Sequence, residues 1–268
     1  MILSTLFGRF RNAGLPEMNT SLGIVVPYRN RQEHLDVFVG YLCDFFRRDK
    51  LNAGITPHIL LVEQVAGLAF NRGAIKNIGF KYLAPEVDFV CFHDIDLLPV
   101  SADYRRSNNP AMIVSDGLDF TPEFIKHLFG GVVVIEKAHF AQANGFSNRY
   151  WGWGFEDVDL RERLLRINVR TEHRQGQFRK LPHIDEGSLP GGEPTEDHLK
   201  NKALYVNQWL RKLGQVFIRQ SSNAAGFWKE DGLNNLEFTE VDSRRPVSAA
   251  APNGFHFERV TIALPYRV

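Results

Sequence analysis

The chain has 268 residues, 44% of them hydrophobic, enough for one large α/β domain with a sizeable core. Its 32 basic and 31 acidic residues leave a net charge of +1, so no strong field advertises a nucleic-acid partner. No apolar run approaches a membrane span. Two cysteines, Cys43 and Cys91, are too few for a disulfide framework and fit a reducing compartment.

Taken in chain order, the pattern alternates strands and helices. Residues 1–20 hold a short apolar run near two arginines and read as a disordered tail, the alternative being a weak anchor for peripheral membrane association. Leu22 to Pro27 is a short apolar run, as a buried parallel strand requires. Gln32 to Arg48 carries Leu35, Phe38, Val39, Leu42 and Phe46 at helical spacing. Ile59 to Val62 and Phe89 to Phe92 are further strands, with a helix from Gly73 to Leu83 between them. Phe129 to Glu136 is another strand and Asp157 to Ile167 another helix. This alternation predicts a mostly parallel sheet flanked by helices, with ligands beyond the carboxyl ends of the strands. Residues 21–268 offer no clean linker and read as one domain.

Two acidic clusters carry the chemistry. In the first, the apolar run Phe89–Phe92 leads through His93 to Asp94-Ile95-Asp96, with Pro99 expected to end the strand. Strand alternation would put Asp94 and Asp96 on one side, where paired like charges call for a cation; carboxylates suit Mg²⁺ or Mn²⁺. In the second, Tyr150-Trp151-Gly152-Trp153-Gly154 runs into Glu156, Asp157 and Asp159. An indole suits the apolar face of a sugar, and a neighbouring carboxylate can take a proton from its hydroxyl. The bland alternative is a buried aromatic turn entering a helix whose first turn carries favourable negative charge. The breaker-rich segment from Glu186 to Pro194 predicts a mobile loop, about 184–200, with a merely solvated loop as the bland alternative.

In this order, Pro27-Tyr28-Arg29-Asn30-Arg31, Phe70-Asn71-Arg72, His93-Asp94-Ile95-Asp96, Phe129-Gly130-Gly131, the Trp-Gly-Trp-Gly-x-Glu-Asp segment and Asp231-Gly232-Leu233-Asn234-Asn235-Leu236 resemble the β-1,4-galactosyltransferases. The His-Asp-x-Asp-Leu-Leu-Pro and Ser147-Asn148-Arg149 motifs are most similar to the branch that galactosylates xylose on proteoglycan linkers. The resemblance implies an α/β GT-A fold, a UDP-sugar donor (galactose or N-acetylgalactosamine), a saccharide acceptor, Mn²⁺ with Mg²⁺ as substitute, and inversion at the anomeric carbon. It places Asp157 as the base, with Glu156, Trp153 and Tyr150 at the acceptor. It places Pro27, Tyr28, Arg29, Arg31, Phe70, Arg72, Asp94, Ile95, Leu128 and Trp153 at the donor. Asp96 and His183 are the implied metal ligands; Lys180 stands where the family has a third, and an ammonium has no lone pair to give. Asp159 is expected to serve the helix start. The resemblance also implies that the loop at about 184–200 closes over the donor as a lid. Animal members are membrane-tethered and lumenal, whereas this chain resembles a cytoplasmic, bacterial version, at or away from the inner face of the membrane. Two other readings stand beside this one: transfer from a different UDP-sugar, or a carbohydrate-binding relative without turnover.

Overall fold

Apolar spacing decides the first half of the fold. The computed structural model describes residues 20–115, 128–182, 193–213, 216–219, 226–247 and 255–265. Strand β1 (Thr20–Tyr28) leads into α1 (Gln32–Arg48), then β2 (Ile55–Gln64), α2 (Arg72–Leu83) and β3 (Phe89–His93). β1 runs parallel to both neighbours, with Ile24 opposite Ile59 and Cys91. Alternate side chains of β1 feed two cores. Leu22, Ile24 and Val26 join Leu35, Phe38, Leu42 and Phe46 of α1, and Val25 joins Ala74, Ile75 and Ile78 of α2. Asn71 caps α2 by accepting from the Ala74 N–H at 2.9 Å, a contact worth about 1 kcal/mol.

The second half departs from the expected parallel pattern. It contains β4 (Leu97–Ser101), β5 (Ala111–Ser115), β6 (Val132–Ile135), α3 (Lys137–Gln142), α4 (Glu156–Arg166), β7 (Glu172–Lys180), α5 (Glu196–Trp209), a β8–β9 hairpin (Leu210–Leu213, Val216–Arg219), α6 (Phe227–Glu230), β10 (Thr239–Pro246) and β11 (His256–Ala263). The large sheet has the order β10-β11-β2-β1-β3-β6-β5-β7-β4. Strands β11, β2, β1 and β3 are mutually parallel, but β6 runs antiparallel to both β3 and β5, so the sheet is mixed. An apolar run reports burial and not the direction of the neighbouring strand.

Four expectations need correction or stay outside view. Asp94 to Asp96 form a tight turn between β3 and β4, so strand alternation does not align them. Pro99 does not end a strand: it lies inside β4, which is the sheet's edge, where its missing N–H is tolerated and a register shift follows. Helix α5 begins at Glu196, within the stretch expected as a mobile loop; residues 184–192 and the tail to residue 19 lie outside the described residues. Among the described residues, no helix is long and apolar enough to cross a membrane.

Candidate active site

The two acidic clusters meet beyond the end of β3. The Asp94 N–H donates to Gly131 O at 3.1 Å, which pins the β3–β4 turn against the glycine pair before β6. Asp96 is 6% exposed, and its backbone oxygen accepts from Leu181 N–H at 2.7 Å, tying the exit of β7 to this turn. His93 is fully buried beneath it, with Nε2 2.8 Å from the Tyr104 hydroxyl. Burial lowers its pKa to about 4, so it is a neutral support rather than a proton carrier at neutral pH.

Helices α2 and α4 bring the second cluster to the first. Arg72, the first residue of α2, bridges them: its Nη1 lies 3.3 Å from Asp94 Oδ2 and its Nε 3.2 Å from Glu156 Oε1. Glu156 is buried, and Asp157 beside it is half-buried. Asp157 Oδ2 lies so close to Gly130 that a Cβ there would stand 2.4 Å from it, so only glycine leaves the carboxylate its place. Burial first, and the Glu156 charge second, push the Asp157 carboxyl up to about 6, against the pull of Lys76 and Arg72. A carboxylate of that pKa, seated against a glycine loop, can serve as a general base near neutral pH.

The tryptophan loop is held from both sides. Gly152 and Gly154 have φ of 75° and 97°, and the loop's Gly152 N–H donates to Phe70 O at 2.8 Å. Asn201 of α5 donates to the carbonyls of Trp151 and Trp153 at 2.9 and 3.1 Å. The Trp153 ring packs on His198 of the same helix, centroids 5.1 Å apart. Phe155, just before α4, has φ of 74°, a conformation costly for a bulky residue, of order 1–3 kcal/mol. Its ring lies between His198 and Tyr205, at 5.3 and 5.5 Å, so α5 holds the turn that aims Glu156 and Asp157.

At the edge where the donor is expected, Arg29 donates to Leu68 O at 2.8 Å and stacks its guanidinium 4.9 Å from the Phe70 ring centroid. Arg31 sits at the start of α1. Leu128 packs against the α2-side core, and its carbonyl lies 3.2 Å from His173 Nε2. Pro27, Tyr28 and Ile95 are buried, so they shape this edge from beneath rather than offer exposed side chains. Tyr150 is corrected outright. It is 2% exposed, and its hydroxyl is taken up by Gln208 Oε1 at 3.1 Å and Asp159 Oδ1 at 3.4 Å, so it cannot face an acceptor. Asp159 lies in the first turn of α4, as expected, but its carboxylate is turned into the core, where it accepts from Trp209 Nε1 and Arg163 Nε, both at 2.6 Å. The C-terminal Asp231 accepts from Ser147 Oγ and from Asn148 N–H, so the Asp231–Leu236 motif braces the tryptophan loop from behind. His183 lies outside the described residues. Lys76, Phe155, His198 and Asn201 were not anticipated; of these only Lys76 left a signal, four residues after Arg72 and so on its helix face.

Residues 10–106 match the family model described as the N-terminal region of glycosyl transferase group 7. Residues 118–186 match the one described as the N-terminal domain of galactosyltransferase, and the two together take in more than half of the chain. The chain belongs to the galactosyltransferase family. β-1,4-Galactosyltransferase 7 of Drosophila melanogaster is 34% identical over 172 residues, 61% of this chain and 52% of that protein. β-1,4-Galactosyltransferase 1 of Bos taurus is 38% identical over 230 residues, 84% of this chain and 51% of that protein. This galactosyltransferase-family chain thus spans about half the length of these curated relatives. In three dimensions it is similar to a mutant of Drosophila β-1,4-galactosyltransferase 7 crystallised with manganese, UDP-Gal and xylobiose. The TM-score is 0.68 at 20% identity, over 93% of this chain and 96% of that one. At that identity the likeness speaks for the fold, which is GT-A.

Proposed function

We propose that this chain is an inverting transferase that moves galactose or N-acetylgalactosamine from its UDP conjugate to a hydroxyl of a saccharide acceptor, forming a β-1,4 linkage. The observation that carries this reading is the Asp157 carboxylate, pushed up to about 6 and seated against Gly130 beside the Trp153 loop. The named activities of the family's members support it. Asp157 takes the proton of the acceptor hydroxyl as that oxygen bonds to the anomeric carbon. The bond from this carbon to the diphosphate breaks on the opposite face, and UDP leaves with the electron pair. Trp153 offers the acceptor a ring face, and Arg29 and Arg31 supply the guanidinium groups that pair with the departing diphosphate in this reading. UDP release measured across candidate donors and acceptors tests the reading; a chain that binds sugars but never releases UDP would be a lectin-like relative. The buried, free thiols of Cys43 and Cys91 support a reducing compartment, the cytoplasm, as its setting.

A divalent metal fits the residues at the β3–β4 turn. Asp96 offers hard oxygen donors, and the bond from Leu181 to Asp96 O keeps the chain leaving β7 close by. His183 follows Leu181 by two residues, a span of at most about 7 Å. Among the described residues no group of three candidate ligands converges, and Lys180 is exposed at the end of β7. Asp96, with the His183 that the family resemblance implies, would hold the ion, and Mn²⁺ when bound would supply positive charge against the diphosphate. Asp96→Ala is expected to lose metal-stimulated activity, and His183→Ala to weaken apparent metal affinity by about 10- to 100-fold or more. Titration of activity with Mn²⁺ after chelation measures both. Full activity in chelator would place the phosphate charge on the arginines and Lys180 instead.

The donor choice turns on Leu128. Its side chain stands one residue before Phe129-Gly130-Gly131, in the position that the family resemblance places against the C2 substituent of the sugar. Leucine lacks the phenol of a tyrosine and leaves an apolar wall for an acetamido methyl, so UDP-GalNAc is expected as a donor alone or beside UDP-Gal. Leu128→Tyr should shift the kcat/KM ratio toward UDP-Gal by the equivalent of roughly 1–3 kcal/mol. An unchanged ratio would remove this position from donor selection.

A further inference from the structure

Three carboxylates converge on two cations at this site. Asp94, Glu156 and Asp157 face Arg72 and Lys76, and Arg72 is already shared between Asp94 and Glu156. Lys76 lies one turn further along α2 and is 2% exposed. Its Nζ is 3.9 Å from Glu156 Oε1 and 4.9 Å from the centroid of the Phe146 ring. An ammonium is expensive to bury even when paired, and an apolar side chain of similar volume is often as good or better for stability. The helix around it supplies Ala74, Ile75 and Ile78 to the same core, so packing alone asks for no charge here. Catalysis does. Adjacent carboxylates at the start of α4 repel each other, and a single shared guanidinium leaves one of them without a counter-charge.

We propose that Lys76 is a positioning residue for transfer: its ammonium holds Glu156 in place and supplies the charge that lets Asp157 meet the acceptor hydroxyl as a carboxylate. The inference rests on Asp157 being the base. The charged groups acting on Asp157 are Glu156 on its own helix and Lys76 and Arg72 from α2. Asp94 stands behind Arg72, from the β3–β4 turn. Cys91 of β3 also senses Lys76, and burial pushes its thiol up, so it stays neutral. Burial and Glu156 raise the Asp157 carboxyl, and Lys76, ahead of Arg72, opposes them.

The test is the pH dependence of kcat/KM in Lys76→Met and Lys76→Arg, with UDP-sugar affinity measured by calorimetry. Lys76→Met is expected to move the acid limb up by about one pH unit. Activity then falls roughly fivefold at pH 6 and approaches a tenfold loss below it, recovers toward the wild-type plateau above pH 8, and leaves donor affinity unchanged. Lys76→Arg should keep the wild-type limb. A folded Lys76→Met protein with the wild-type acid limb overturns the proposal. Should that variant not fold, Lys76→Met/Glu156→Gln, which leaves neither member of the pair charged, is compared with Glu156→Gln alone. An acid limb higher in the double variant supports the role, and coincident limbs overturn it. Asp157→Asn separates the two readings: if that protein still turns over, the base assignment fails whatever Lys76 does.

Discussion

Asp157→Asn is expected to lower kcat by roughly 10²–10⁴-fold while leaving UDP-sugar binding intact. The amide keeps the shape of the carboxyl against Gly130 but cannot take a proton. In the wild-type protein, kcat/KM should rise with pH through about 6, as the raised carboxyl ionises. The same shift acts on stability in the opposite sense. Between its ordinary value of 3.8 and about 6, the folded chain holds a proton at Asp157 that the unfolded chain has lost. Ionising this group in the fold is therefore unfavourable, and its contribution to stability falls as pH rises through that window. Asparagine escapes the loss, so the variant's Tm at pH 7 to 8 should equal or exceed that of the wild type. Turnover, calorimetric binding of the UDP-sugar and thermal melting together check this. Near-normal turnover, or a wild-type acid limb near pH 4, would remove Asp157 from the base role.

How much of this was legible in the sequence depended on whether the decisive contact was local. Helix α1 runs from Gln32 to Arg48 as its apolar spacing predicts, because Leu35, Phe38, Leu42 and Phe46 fall on one face and one core receives them. The parallel strands β1, β2 and β3 were legible for the same reason, as unbroken apolar runs between turn residues. The Asp-x-Asp pair was found, but its geometry was misread. Reading a strand through Ile95 assumes that the ladder continues, whereas Leu97 N–H turns back to Asp94 O at 3.3 Å. Tyr150 looked ligand-facing because it adjoins Trp151; what buries it is Gln208, 58 residues away. Phe155 could not be foreseen, since propensity assigns a positive φ to glycine, and the strain is held by His198 and Tyr205 from a distant helix. The acid pair Glu156-Asp157 was legible as chemistry. Its counter-charges needed the packing of α2 on α4.

Arg163→Met is expected to cost about 3–5 kcal/mol of stability, the range seen when one partner of a buried ion pair is removed. Arg163 is fully buried, with Nε 2.6 Å from Asp159 Oδ2 and Nη2 3.4 Å from Asp231 Oδ2. Its Nη1 also donates to the Asp231 carbonyl at 2.6 Å. One side chain thus joins α4, which carries Glu156 and Asp157, to the C-terminal segment that braces Ser147 and Asn148. Methionine fills much of the volume but leaves Asp159, itself fully buried, and Asp231 without their cation. Trp209 and Tyr150 remain as donors to Asp159, and Ser147 and Asn148 as donors to Asp231, which sets the loss below the cost of two bare charges. Adding Asp159→Asn should return part of the loss, because it removes one unpaired charge from the interior. Urea unfolding of the three proteins at pH 7.5 measures this, with m-values compared to confirm that the same surface unfolds. A loss below about 1 kcal/mol for Arg163→Met would mean that water or repacking reaches this cluster, and that the C-terminal segment is held by its other bonds, from Ser147 and Asn148 to Asp231 and from the Asn144 amide to the Trp228 and Lys229 carbonyls at 3.0 Å.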